Sequence, residues 1–258
     1  MVPVGLARRQ ALCHLITDLW VPPRSVTAAL APRLRALYHP DLDGHVSAFN
    51  GTALMFEARQ ALAGITGWAR VLRRNEWFQS RAVELVKALI PQASVIFSYS
   101  YTARRLFEHA REAGLKTVMV QIDAGLSEER LVSALQSRHP GAERHWRPAP
   151  PEYWDHWRTE IDLADRIVVH SIWSRDALIA EGVSDKKLVV VPLAYEAPVE
   201  AASFRRTYPE SFSTERPLRV LFLGQVTLRK GALAMFDAVR ALRDEPVEFI
   251  IAGPNGAG

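Results

Sequence analysis

Short apolar runs alternate with helical stretches along this chain, joined by only a few residues, and that alternation limits the fold more than any other feature. Residues 95–97 read as a buried strand, 101–113 as a helix closed by Gly114, and 116–121 as the next strand. The rhythm returns in residues 164–171, a strand ending in the polar pair His170 and Ser171, followed by a helix from about Trp173 to Ala180, a stop at Gly182 and a strand over 188–191. Strand, helix, strand with short links is the pattern of a parallel sheet covered by helices. The expected class is therefore α/β, a parallel sheet with helices on its faces.

Composition agrees with a folded core. The 258 residues are 48% hydrophobic and 23% charged, and no apolar run approaches the roughly 18 residues that a membrane helix needs. Arg8 and Arg9 follow a start with no apolar segment of signal-peptide length, so a cytoplasmic protein is expected, with peripheral contact at the inner face of the membrane kept open. The single cysteine, Cys13, excludes an intrachain disulfide and a paired-cysteine zinc site; a buried structural thiol is the expectation. The net charge is +4, and Arg70, Arg73 and Arg74 interleave with Trp68, Trp77 and Phe78. Such a mixture suits an anionic membrane surface, an acidic acceptor or nucleic acid. A solvated helix face with its aromatics turned inward is the simpler expectation.

Residues 12–17 suggest an early strand, and Pro22, Pro23 and Pro32 keep the next segment irregular or limited to a short helix. Asp41, Leu42 and Asp43 form a D-x-D, a spacing that can hold a metal-diphosphate, but Pro40 and Gly44 make it a turn and no metal site is expected. Residues 53–89 are helical with a break at Gly64 and Gly67, and a second helix is expected over about 79–89. After the strand at 116–121, Ser127 is placed to cap a helix that opens with Glu128 and Glu129, while Asp123 lies in the sheet-edge loop. Residues 139–151 hold four prolines and read as a surface excursion; Tyr153, Trp154, Trp157 and Ile161 then make one apolar stripe suited to core packing.

Residues 196–217 lose periodicity and are punctuated by Pro198, Pro209 and Pro217, so they read as a linker between a first domain, 1–195, and the start of a second, 218–258. There an apolar run over 218–223 stops at Gly224, and a helix pattern starts near Gly231. The intervening Gln225 to Lys230 is a strand-to-helix loop with two cations, Arg229 and Lys230, beside a helix amino end. That is a natural place for a phosphate-bearing ligand, though an ordinary strand-loop-helix unit with a solvated basic pair fits as well. A strand over 247–252 leads to Gly253, whose backbone is free to approach a phosphate closely.

The order of these motifs resembles the retaining glycosyltransferases of family GT4. Three stretches carry it: ADRIVVHSIWS over 164–174 followed by Gly182 and Val183, KLVVVPL over 187–193, and LRVLFLGQVTLRKG over 218–231 with VEFIIAG over 247–253. The likeness covers 164–258 well and 12–120 only in layout. It implies a GT-B architecture, two Rossmann-like domains around a cleft, and transfer of a sugar from a UDP- or GDP-linked donor with retention, with no cofactor and no obligatory metal. The acceptor would be a glycan, a lipid-linked sugar or a small molecule, and nucleic acid would not be a partner. In the family the donor diphosphate is held by an arginine after the motif glycine and by a lysine before the second glycine. Gly224, Gln225, Arg229, Lys230 and Gly231 occupy this region, with Lys230 matching the lysine and Gln225 replacing the arginine. Asp123, His170, Ser171 and Gly253 are the other cleft candidates; no catalytic residue is assigned. The family's glutamate pair and its opening glycine-rich loop have no counterpart, which implies a fragment truncated at both ends and inactive by itself. A non-catalytic, transferase-like binding subunit and a basic nucleic-acid module are the competing readings.

Overall fold

The computed structural model describes residues 2–25, 37–194 and 197–254. The expectation for the proline segment around Pro32 falls on 26–36, outside the described residues. Among the described residues the order is α1 (Val2–Arg8), β1 (Leu15–Thr17), β2 (Val46–Ala48), α2 (Asn50–Leu62), α3 (Gly67–Leu89), β3 (Val95–Tyr99), α4 (Arg104–Glu112), β4 (Lys116–Val120), α5 (Leu126–Arg138), α6 (Pro151–Leu163), β5 (Arg166–Val169), α7 (Ile172–Ala180), β6 (Leu188–Val190), β7 (Leu218–Leu223), α8 (Ala232–Ala241) and β8 (Val247–Ala252). Every strand pairing is parallel. The class is α/β with Rossmann-like strand-helix-strand units.

The chain divides into two compact units, 1–124 with 149–194, and 125–148 with 195–258. The change of unit at 194 lies next to the sequence-based boundary. Residues 125–148, expected within the first domain, group with the second unit.

In the first unit β3, β4, β5 and β6 lie side by side in chain order, and β1 pairs with β2. Both inner strands are buried where their apolar residues fall: Met119 and Val120 on β4, Ile167 and Val169 on β5. Helix α4 lays Leu106, Phe107 and Ala110 on the core, and α6 lays Trp157 and Ile161, one turn apart, on the same cluster. Full burial of side chains of this size contributes roughly 1.5–3 kcal/mol each, before ordering entropy is set against it. The aromatic stripe of 153–161 therefore packs the core as its spacing predicts.

Several local expectations change. Helix α3 begins at Gly67, not near Gln79, because no breaker lies between them; Gly64 and Gly67 both take positive φ, 64° and 57°, and make the break. Cys13 is exposed, not buried, since β1 starts only at Leu15 and leaves the thiol in the preceding loop. Helix α5 starts at Leu126 with Gly125 as N-cap, so Ser127 lies inside the first turn instead of capping it. The D-x-D carboxylates engage different partners: Asp41 accepts from Arg8 Nε at 2.6 Å and Asp43 from the Tyr38 hydroxyl at 2.7 Å. No metal-holding cluster occurs among the described residues. The basic-aromatic cluster of α3 is largely satisfied internally. Arg70 Nε donates to Glu57 at 3.0 Å, Arg74 pairs with Asp18 and with Glu57, Trp77 stacks on Phe56, and Trp68 packs on Tyr153. No helix among the described residues is long and apolar enough to cross a membrane.

In the second unit β7 and β8 form a two-stranded parallel pair with α8 between them in sequence. Its apolar side chains remain open to solvent, Leu221 at 58% and Leu223 at 78% exposure, while Leu228 and Ala232 are buried. Parallel strands of this length are marginal without further cover.

Candidate functional site

The loop after β7 is shaped by glycines at both strand ends. Gly224 follows β7 with φ 141° and Gly253 follows β8 with φ 150°. The Gly224 N–H donates to Ala252 O at 2.9 Å and the Val226 N–H to Pro254 O at 3.1 Å, so the two segments stay paired past the strands. A Cβ at Gly253 would lie 2.0 Å from the Gly224 carbonyl oxygen. Only glycine permits this approach. The structure thus brings Gly224 and Gly253 together through backbone packing. A 3-10 turn over Leu228–Lys230 follows, and Gly231, at φ 76° and ψ 25°, ends that turn and opens α8.

The charges around this loop are divided. Lys230 is exposed, and among the described residues its ammonium makes no hydrogen bond or ion pair; Gln225 is likewise exposed with no side-chain partner among them. Arg229 pairs with Glu128 of α5, whose side chain is 20% exposed. Glu143, in the proline-rich excursion and buried, accepts the Leu228 N–H through Oε1. All of these groups belong to the second unit. One of the two loop cations, and one of its backbone donors, are thus already matched by carboxylates from 125–148. Glu128 is more than a favourable first-turn charge on α5.

Asp123 sits in a different network, in the first unit. The Tyr101 hydroxyl donates to Asp123 Oδ1 at 2.7 Å, Gln121 Nε2 donates to the same oxygen at 2.9 Å, and Trp157 Nε1 donates to Gln121 Oε1 at 3.0 Å. Burial, with the Asp123 charge beside it, pushes the Tyr101 phenol well above its ordinary value. It is a fixed donor at any physiological pH. The Tyr101 ring stacks on Tyr153 at 4.6 Å between centroids, and its backbone takes φ 73°, a conformation that costs a non-glycine residue about 1–3 kcal/mol. Glu160 of α6 over-determines that corner. Its carboxylate accepts from the backbone N–H of Tyr101 at 2.6 Å, Ala103 at 2.7 Å and Arg104 at 3.0 Å, and so caps the amino end of α4. Burial pushes Glu160 up to about 7, against the three N–H groups and Arg104, which favour its charged form.

His170 and Ser171 hold the end of β5 to its neighbours. His170 Nδ1 lies 3.0 Å from Val191 O, and Ser171 Oγ caps α7 by accepting the Ser174 N–H at 3.1 Å. Glu160, Tyr101 and Glu143 were absent from the sequence-based set. Glu160 carried a signal, since it falls one turn from Trp157 and next to Ile161 on a stripe otherwise apolar. Glu143 carried none.

No protein-family model and no curated protein matches the chain. Among solved structures it is similar to a protein of Listeria monocytogenes assigned as a UDP-N-acetylglucosamine 2-epimerase, at 12% identity and a TM-score of 0.38. It is also similar to MnaA of S. aureus in its structure with UDP, at 13% identity and a TM-score of 0.37. Each match covers 92% of this chain; the chain spans 61% of the first structure's length and 62% of the second's. The α/β class stands on the strand pairing itself, and the site's chemistry on its own geometry.

Proposed function

We propose that the chain is part of a nucleotide-sugar enzyme of GT-B type, a retaining glycosyltransferase related to family GT4, whose loop between β7 and α8 binds the donor diphosphate. The observation that carries this is the pairing of a glycine-shaped strand-to-helix loop with an exposed Lys230, without an ion pair among the described residues, at the amino end of α8. A diphosphate leaving group gains negative charge as the glycosidic bond breaks, and a fixed cation beside backbone donors stabilises that charge. Lys230 fills the cation's role, with Arg229 joining it once released from Glu128. The donor is a UDP- or GDP-sugar and the acceptor a glycan, lipid-linked sugar or small molecule; no metal is required.

The pairing of Glu128 with Arg229 and of Glu143 with the Leu228 N–H favours a second reading, a non-catalytic subunit of the same ancestry in which this loop is held closed. Thermal unfolding of the chain with UDP, GDP and ADP sugars separates the two, because a ligand of the folded state raises its apparent stability. A rise with one nucleotide, lost in Lys230→Ala, supports the donor site. Absence of any rise, in this chain and in any longer form of the protein, leaves the non-catalytic reading.

A further inference from the structure

An open groove of about 810 Å³ in the first unit lies between α2, α3, α6 and the start of α4. Its wall is the stacked pair Phe56 and Trp77, 5.0 Å between centroids and 22° between planes. Arg73, Trp77 and Arg81 fall at i, i+4 and i+8 on one stripe of α3 and all line the groove. Arg70 and Arg74 are ion-paired, but neither Arg73 nor Arg81 makes a side-chain hydrogen bond or ion pair among the described residues. Gln60 also lines it, only 7% exposed, with Oε1 buried and without a hydrogen-bond partner; Arg104 Nε is buried and unmatched as well.

Each group narrows what belongs there. Unpaired guanidinium groups suit carboxylate or phosphate, which they bind through parallel N–H donors. A buried amide oxygen without a donor is costly unless something supplies one, and a hydroxyl does so. A stacked aromatic wall suits the apolar face of a ring. The two arginines are separated by about 12 Å along the helix axis, more than one sugar ring spans. We infer that this groove binds an acidic oligosaccharide, two or more sugar rings bearing a carboxylate or phosphate, held by Arg73 and Arg81, with a ring on Trp77 and a hydroxyl on Gln60. The choice of a sugar rests on the nucleotide-sugar reading, while the anionic, hydroxylated character rests on Arg73, Arg81 and Gln60, since the lining Glu76 is already held by Arg104 and Arg105 and Glu152 lies beside His156.

The test is calorimetric titration of the full chain with digalacturonate, with maltose 1-phosphate and with neutral maltose. Binding of either acidic disaccharide at least tenfold tighter than maltose is expected, and which of the two binds decides between carboxylate and phosphate. The double variant Arg73→Gln, Arg81→Gln changes two exposed side chains without partners, so its melting temperature should match the parent while its affinity falls at least tenfold. UDP binding at Lys230 serves as a separate readout in the same variant and should not move. If neither acidic sugar binds, if maltose binds equally, or if the double variant retains full affinity, the inference is overturned. Loss of UDP binding with acidic-sugar binding intact would instead count against the donor site.

Discussion

Two loops that follow parallel strands receive a carboxylate from elsewhere in the chain, and they do so to different degrees. After β3, Glu160 is 1% exposed and accepts three backbone N–H groups. After β7, Glu143 is 9% exposed and accepts one, from Leu228. The amino end of a helix after a parallel strand is where a phosphate group would otherwise be held. The first loop is thus closed as part of the core, and its Tyr101 backbone strain is stabilised by the same carboxylate. The second receives one carboxylate bond, from Glu143 to the Leu228 N–H, and an ion pair between Arg229 and Glu128 at the surface.

Removing the carboxylates separates these roles most sharply. Glu160→Ala leaves three buried N–H groups unmatched and should destabilise the first unit by about 4 kcal/mol. Glu143→Ala, with one N–H released, should cost about 1 kcal/mol. Urea unfolding of both variants checks the pair; equal losses would break the distinction. Next in size is Gly253→Ala, which forces a Cβ into the Gly224 carbonyl at φ 150° and should destabilise the β7–β8 pair by about 3 kcal/mol. Hydrogen exchange should show that loss confined to β7 and β8, and an unchanged variant would mean that the two segments are not held as close.

Titration of Glu160 gives a pH signature of similar scale. Its ordinary value of 4.5 is raised to about 7 by burial, so the folded state binds this proton more tightly than the unfolded chain. The stability it contributes is complete below about pH 4.5 and is lost as pH rises through about 7, a change of about 3 kcal/mol. Unfolding free energies of the parent and Glu160→Gln, measured from pH 4.5 to 8, should differ in slope over that window. Parallel profiles would show that the three N–H groups keep the carboxylate charged. Smallest is Glu128→Gln, which removes one negative charge beside the loop, in an ion pair worth at most about 1 kcal/mol, so nucleotide affinity should rise about threefold in a binding titration.

Much of the layer structure was legible because it depends on local pattern. The runs at β3, β4, β5 and β7 and the breaks at Gly64, Gly67, Gly114 and Gly182 all leave marks within a few residues. The site was legible in part. Gly224, Lys230 and Gly231 announce a strand-to-helix loop, but Gly253 meets Gly224 only through pairing of β7 with β8. Arg229 reads as a free cation until α5 places Glu128 beside it. Asp123 stood out by its sheet-edge position, yet its partner Tyr101 lies 22 residues away and depends on Glu160, 59 residues further on. Sequence spacing does not register contacts of that range.

The most direct test is calorimetric titration of UDP and GDP into the parent chain, Lys230→Ala and Glu143→Gln, side by side. The proposed donor site requires one nucleotide to bind the parent, more weakly with Lys230→Ala by about tenfold and more tightly with Glu143→Gln, because one change removes the cation and the other the competing carboxylate. Binding that neither substitution alters, or no nucleotide binding in any of the three, would contradict it.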